Sequence, residues 1–247
     1  MSGFLRAGVA LLFLNLCPVA LAGEAVVAAA ANFSSALDRL APAFERETGH
    51  RLKLSLGSTG KLYAQIINGA PFDVFLSADQ ERAAKVVEAG LAAKGARFTY
   101  AVGRLVLWVP AGAAKPDALR AGDIRKVAVA HPELAPYGKA AMEALKKLGL
   151  QAAVRSKLVI GENIGQAFAF VASGNAQAGF VAEAHLKGRD TPAAKVWEVP
   201  PQLHAPILQD AVLLRRGEAN DAAIAFFDFL RSEDAKAIIR SSGYALD

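Results

Sequence analysis

Cysteine is nearly missing from this chain: one, Cys17, in 247 residues. A disulfide framework and a cysteine-zinc centre are therefore excluded. Histidine is sparse too, with His50, His131, His185 and His204 scattered and no His-x-x-x-His pair or metal-ligand spacing among them. No G-x-S-x-G nucleophile elbow occurs. The basic surplus (28 Lys and Arg against 23 Asp and Glu) is dispersed, and the basic stripe with interleaved aromatics that marks a nucleic-acid surface is lacking. The chain is 53% hydrophobic with mean hydropathy +0.27. Even so, it has no uninterrupted apolar run of the ~20 residues a membrane span needs. Alanine supplies much of the apolar excess, which favours close helix packing over lipid contact.

The N-terminus reads as an export signal. Arg6 is the only charge before Glu24, the apolar core Val9–Leu14 follows it, and Ala20-Leu21-Ala22 has the small-x-small pattern of a signal peptidase site. Cleavage near Ala22 removes Arg6 and Cys17, leaving a mature chain of net charge +4 without cysteine. Lipidation at Cys17 is disfavoured because Leu16 before it is too large for a lipoprotein cleavage site.

The remainder alternates strand-like and helix-like segments. The apolar run Ala25–Ala30 leads into Leu37, Leu40 and Phe44 at helical spacing, ending at Gly49, with Ser35 and Asp38 as a capping-box pair and a kink expected at Pro42. Strand Arg51–Leu56, turn Gly57-Ser58-Thr59-Gly60, helix Lys61–Asn68, strand Phe72–Ser77 and helix Asp79–Ala89 follow. This β-α-β-α-β-α order predicts a parallel, doubly wound sheet. A long strand signal, Arg97–Val109, breaks at Gly103. The alternation then resumes with strand Lys126–Ala130, helix Tyr137–Leu148, strand Leu158–Ile160, helix Asn163–Ser173 and strand Ala178–Val181. Strands near Lys195–Val199 and Ile207–Leu214 and helices Asn220–Arg231 and Glu233–Ser241 close the chain. Two such sets joined by long strands predict two lobes with the chain crossing between them more than once.

Ligands of open α/β sheets bind beyond the carboxyl ends of the strands, where helices begin. Those junctions here are Ala31-Asn32-Phe33-Ser34-Ser35, Gly57-Ser58-Thr59-Gly60, His131 to Gly138, and Gly161-Glu162-Asn163-Ile164. Taken singly, each reads as a helix cap or a common turn. Together they are rich in hydroxyl, amide and backbone donors and sparing in charge, which suits an anion held at helix N-termini. Ser55 to Leu62 resembles a phosphate-binding loop, but Ser55 replaces its first glycine and Leu62 its final hydroxyl residue, and an exported protein meets little ATP.

Several of these segments resemble the periplasmic molybdate-binding proteins of ABC importers. They are Val26–Ala31 with Asn32-Phe33-Ser34, Gly57 to Leu62, Gly69 to Asp79, His131-Pro132-Glu133 running to Pro136-Tyr137-Gly138, Glu162-Asn163-Ile164, and Gly179-Phe180-Val181. The likeness covers the whole mature chain. It implies a type II periplasmic binding protein: an α/β fold of two doubly wound lobes joined by two hinge strands. Residues 1–23 would be the signal peptide, 24–103 plus 209–247 the first lobe, and 104–208 the second. Molybdate or tungstate would lie in the cleft against Ala31, Asn32, Ser58 and Thr59 of one lobe and Tyr137 and the backbone N–H of Ile164 of the other. The metal would be held only as its oxyanion, without direct metal ligands, catalytic residues or a further cofactor. A monomer that partners an inner-membrane ABC importer permease, and no nucleic acid, is implied. Two departures from the family pattern stand out. Ala182 occupies a position where some members carry a tyrosine, so Tyr137 would supply the phenol, and Thr59 stands where serine is usual.

Chemistry agrees with that likeness. A fully deprotonated tetrahedral dianion presents only acceptors, so neutral donors can satisfy it without a buried counter-charge. Hydrogen phosphate would want a carboxylate acceptor, and the nearby Glu133 and Glu162 are not in assigned contact positions. A receptor for sulfate or another tetrahedral oxyanion is the main alternative. A secreted hydrolase and a two-lobe effector module of a regulator are further ones. The first lacks a nucleophile elbow or metal cluster, and the second would carry a DNA-binding helix pair and no export signal.

Overall fold

The computed structural model describes residues 22–246; the export-signal assignment, with Arg6 and Cys17, lies outside them. Within them two five-stranded sheets form. The first contains β1 (Glu24–Ala30), β2 (Arg51–Gly57), β3 (Val74–Ser77), β4 (Ala92–Gly103) and β10 (Ile207–Leu214), in the order β2-β1-β3-β10-β4. The second contains β5 (Leu105–Trp108), β6 (Val127–Ala130), β7 (Leu158–Gly161), β8 (Ala178–Ala182) and β9 (Val196–Glu198), in the order β7-β6-β8-β5-β9. The inner strands β1, after its exposed Glu24, and β6 are short runs of alanine and valine, as expected of strands covered on both faces.

The helix-connected strands β1, β2 and β3 and likewise β6, β7 and β8 run parallel, as the alternation predicts, but neither sheet is wholly parallel. β10 runs antiparallel to both β3 and β4, and β5 runs antiparallel to both β8 and β9. These are the two strands by which the chain enters a sheet after leaving the other one. A βαβ rhythm predicts the direction of strands connected by helices and says nothing about strands that arrive from outside the lobe.

The register levels the carboxyl ends of the strands. Ala30 pairs with Gly57 and Ala29 with Leu76 in the first sheet; Ala130 pairs with Gly161 in the second. From those ends rise α1 (Ser34–Thr48), α2 (Thr59–Ile67) and α3 (Gln80–Glu88) in one lobe, and α4 (Pro136–Lys147) and α6 (Ile164–Ala172) in the other. A one-turn helix α5 (Gln151–Val154), absent from the sequence reading, links α4 to β7; α7 (Asp221–Phe229) and α8 (Glu233–Ser241) pack on the first lobe.

Local chemistry differs from expectation at two helix starts. α1 is entered through a tight turn at Ala31–Phe33, so Ser34 and Ser35 already lie inside the helix and no side chain caps it. The Ser35–Asp38 capping box does not form. Helix α1 runs on through Pro42 to Thr48 and stops at Gly49, whose left-handed φ of 73° a β-carbon would oppose. At Gly57–Gly60, expected as a turn, the helix α2 begins at Thr59, with Ser58 as its N-cap. Strand β4 also starts earlier than its apolar pattern suggests, at Ala92, because Leu214 of β10 pairs with it there.

Each lobe buries its own core. Phe33, Phe44, Phe226 and Phe229 dominate the first, with edge-to-face ring contacts, while the second is mostly aliphatic around Leu105, Leu107, Leu145 and Phe180. The chain crosses between lobes at Arg104 and again between Glu198 and Ile207. The two crossings run side by side, because Ile207 pairs with Gly103 and Val199 N–H donates to Leu105 O.

Candidate functional site

Four helix starts converge on a small cavity between the lobes. Ala30, Ala31, Asn32, Gly57, Ser58, Thr59 and Ala78 line it from the first lobe, and Ala135, Pro136, Tyr137, Asn163 and Ile164 from the second. All six residues singled out from the sequence therefore face one space: Ala31, Asn32, Ser58, Thr59, Tyr137 and Ile164. The levelled strand ends are the reason, since each lobe presents its helix N-termini at one edge of its sheet. First-turn N–H groups have no intrahelical acceptor and carry the positive end of the helix dipole.

The lining holds no Asp, Glu, Lys or Arg. Its hydroxyls are left with protons to give. Thr59 Oγ1 accepts from Ala78 N–H at 3.1 Å, so its own proton is free. Ser58 Oγ is buried without any protein partner, a costly state unless something else fills the cavity. Tyr137 is 1% exposed, and its oxygen accepts from Gln209 Nε2 at 3.3 Å. Burial holds the phenols of Tyr137, Tyr100 and Tyr244 above their ordinary pKa, so all three stay protonated at neutral pH.

Asn32 plays a different part from the one its side chain suggested. Its Nδ2 donates to Gln209 Oε1 at 2.8 Å and to Tyr244 Oη at 3.1 Å, so both amide protons are engaged inside the protein. What Asn32 can offer the cavity is its backbone N–H. Gln209, Tyr100 and Tyr244, which organise this network, were missed from the sequence. The available signal was Gln209-Asp210, two polar residues in the otherwise apolar strand β10.

Two glycines make the approach of the lobes possible. A β-carbon at Gly60 would lie 3.1 Å from Leu134 of the opposite lobe, and Gly60 N–H donates to Leu134 O at 2.8 Å. A β-carbon at Gly103 would sit 2.2 Å from Tyr137 Oη and 2.8 Å from Gln209 Nε2. Further ties span the cleft: Lys61 pairs with Glu162 at 2.7 Å, and the Arg82 guanidinium donates to Glu133 O. Glu133 and Glu162 thus stand at the rim and not in the cavity. His185, 6% exposed, sets Nε2 3.3 Å from Ala31 O. Since a carbonyl only accepts, Nε2 bears the proton, and burial lowers the imidazole pKa to about 4.

A larger hollow opens at the cleft mouth beside this cavity. Asp79, Glu81, Glu133 and Glu143 outnumber Arg82 and Lys139 on its wall, which makes it the poorer place for an anion. Among the described residues no cluster of three His, Cys, Asp or Glu could hold a metal ion, and no helix is long and apolar enough to cross a membrane.

Comparison with known proteins places this geometry in context. Residues 25–245 match the family of bacterial extracellular solute-binding proteins. The molybdate-binding protein ModA of Rhodobacter capsulatus is 45% identical over 247 residues, covering 98% of this chain and 97% of that protein. The molybdate-binding protein ModA of Azotobacter vinelandii is 45% identical over 240 residues, covering 94% and 93%. Among solved structures, the Azotobacter vinelandii periplasmic molybdate-binding protein superposes with a TM-score of 0.86 at 37% identity, over 91% of this chain and 100% of that one.

Proposed function

The chain belongs to the bacterial extracellular solute-binding proteins, alongside their molybdate-binding members, and from that premise we propose that it captures molybdate between its lobes and delivers it to an ABC transporter. The observation that carries this reading is the cavity itself: uncharged, closed by two lobes, and lined by backbone donors and by hydroxyls with protons to give, Thr59 and Tyr137 already accepting from the protein and Ser58 without a protein partner. A tetrahedral dianion without protons meets only donors there. Ser58, Thr59 and Tyr137 give hydroxyl hydrogen bonds, and Ala31, Asn32 and Ile164 give backbone N–H groups. Charge-assisted bonds of this kind are individually strong, and the helix dipoles replace a buried cation.

Tungstate, with the same shape and charge, is the second expected ligand. The lobes, divided at residues 24–103 plus 209–247 and 104–208, close about the two crossings and trap the anion. Ligand selects the closed arrangement, and that arrangement docks on the inner-membrane permease. On this reading the protein works in the periplasm as a monomer, after cleavage near Ala22, without a catalytic residue or cofactor.

Calorimetric titration of the mature protein with molybdate, tungstate, sulfate and hydrogen phosphate at equal ionic strength tests this. Tight binding of the first two and no measurable binding of the others is expected. Sulfate bound as tightly as molybdate would overturn it in favour of a general oxyanion receptor.

A further inference from the structure

We propose that Gln209 is a positioning residue that makes Tyr137 a pure proton donor to the anion, at the end of a hydrogen-bond chain that starts from the carbonyl of Asn32. The proposal deepens the oxyanion reading above and rests on it.

The chain can be followed one proton at a time. Tyr244 Oη lies 2.6 Å from Asn32 O, and a carbonyl can only accept, so the Tyr244 proton is committed there. The Tyr244 oxygen must then accept at its other contact, 3.1 Å away, which makes the Asn32 atom facing it the amide nitrogen. The second proton of that nitrogen points at Gln209, 2.8 Å away, so the Gln209 atom there is its oxygen. Tyr100 Oη, 3.1 Å from the same oxygen, donates to it as well. The Gln209 amide is thereby locked, and its nitrogen faces Tyr137 Oη at 3.3 Å. The phenol oxygen accepts that proton, and its own is turned away from Gln209, with the cavity beside it. Every atom in this series is buried, so water cannot reset the order: Asn32 is 1% exposed, Gln209 0% and Tyr244 4%.

Gln209 lies on β10, the returning crossing strand, opposite Ala101 of β4. It therefore holds a first-lobe residue with one end of its amide and a second-lobe phenol with the other. Gly103 has no room for a β-carbon because Tyr137 and Gln209 meet there.

A double-mutant cycle tests this. Molybdate affinity is measured for the wild type, Gln209→Met, Tyr137→Phe and the double variant, each with its ligand-free melting temperature. Expected is about a tenfold loss from Gln209→Met in the wild-type background, the scale of one charge-assisted bond weakened. Under about twofold is expected once Tyr137 is Phe, because the group Gln209 positions is gone. Equal losses in both backgrounds, or no loss in either, would overturn the proposal. If Gln209→Met fails to fold, Tyr244→Phe replaces it. That variant removes one hydroxyl outside the cavity, frees the Asn32 amide to turn, and should cost about threefold, again only while Tyr137 is present. Should the wild type prefer sulfate, the same cycle is run with sulfate. A wrong ligand assignment is then separated from a wrong role for Gln209.

Discussion

The two lobes have the same strand order and opposite temperaments. In the first, buried polar residues lie on the sheet or next to its strand ends: Asn32, Ser58, Thr59, Asp73, Ser77, Gln209 and Asp210, with Ser242 at the end of α8. Among the described residues, no strand of the second sheet carries one; Glu183, His185 and His204 lie in the loops after it. Asp73 accepts from Val26 N–H, Arg216 and Asn220, and Asp210 from Arg97 and Thr99. A paired topology therefore does not mean a shared task. The first lobe fixes the direction of protons, and the second supplies a shaped apolar wall with one phenol.

The largest expected effect tests whether the polar anchors hold the first lobe together. Asp73→Ala leaves Val26 N–H without its acceptor and takes the shared carboxylate from Asn220 and the half-exposed Arg216, and should cost about 3–4 kcal/mol in ligand-free unfolding. His204→Ala in the second lobe should cost about 1 kcal/mol. Equal losses would break the contrast.

Next in size is His185, whose ring joins the lobes at Ala31. Its folded pKa of about 4 lies below the ordinary 6.5, so between those values the unfolded chain binds the extra proton. Stability is then full above pH 6.5 and falls as pH drops towards 4, by roughly 3 kcal/mol in all. His185→Gln should flatten that stretch of a pH–stability curve measured by denaturant unfolding.

Ligand binding sharpens the contrast further. Thr59→Ala removes a hydroxyl and should weaken molybdate binding by about 1.5–3 kcal/mol in calorimetry. Ile164→Ala keeps the backbone N–H that serves the anion and should cost about 0.5 kcal/mol. A larger loss at Ile164 would show that the apolar wall sets affinity.

The smallest effect belongs to the Lys61–Glu162 tie. Both side chains are about half exposed, so Glu162→Gln should change affinity by under about 0.5 kcal/mol, and less at high salt. Dissociation rates across ionic strength measure it.

Much of this was legible in the sequence for a simple reason. Helix starts follow apolar runs, and the Ala31, Thr59, Tyr137 and Ile164 junctions reveal themselves locally. What stayed hidden is long-range. The antiparallel sense of β5 and β10 depends on where the chain re-enters, and the Asn32 amide on Tyr244, 212 residues away in sequence. Ser35 and Asp38 made a sound local capping pattern, overridden because the chain was already wound at Ala31–Phe33. Gln209 announced itself only as a polar residue in an apolar strand, with no hint of its partners.

The crossing pattern also sets a timetable. Every strand of the second sheet lies between Leu105 and Glu198, so that sheet can assemble from one continuous stretch of chain. Among the described residues, β10 is the one strand of the first sheet beside β4, which must wait until Ile207–Leu214 exists before it has a strand neighbour. Asn32 waits still longer, for Tyr244. In a chain emerging from its amino end, the lobe begun first closes after the one begun second, and the site gains its final polarity only with Tyr244.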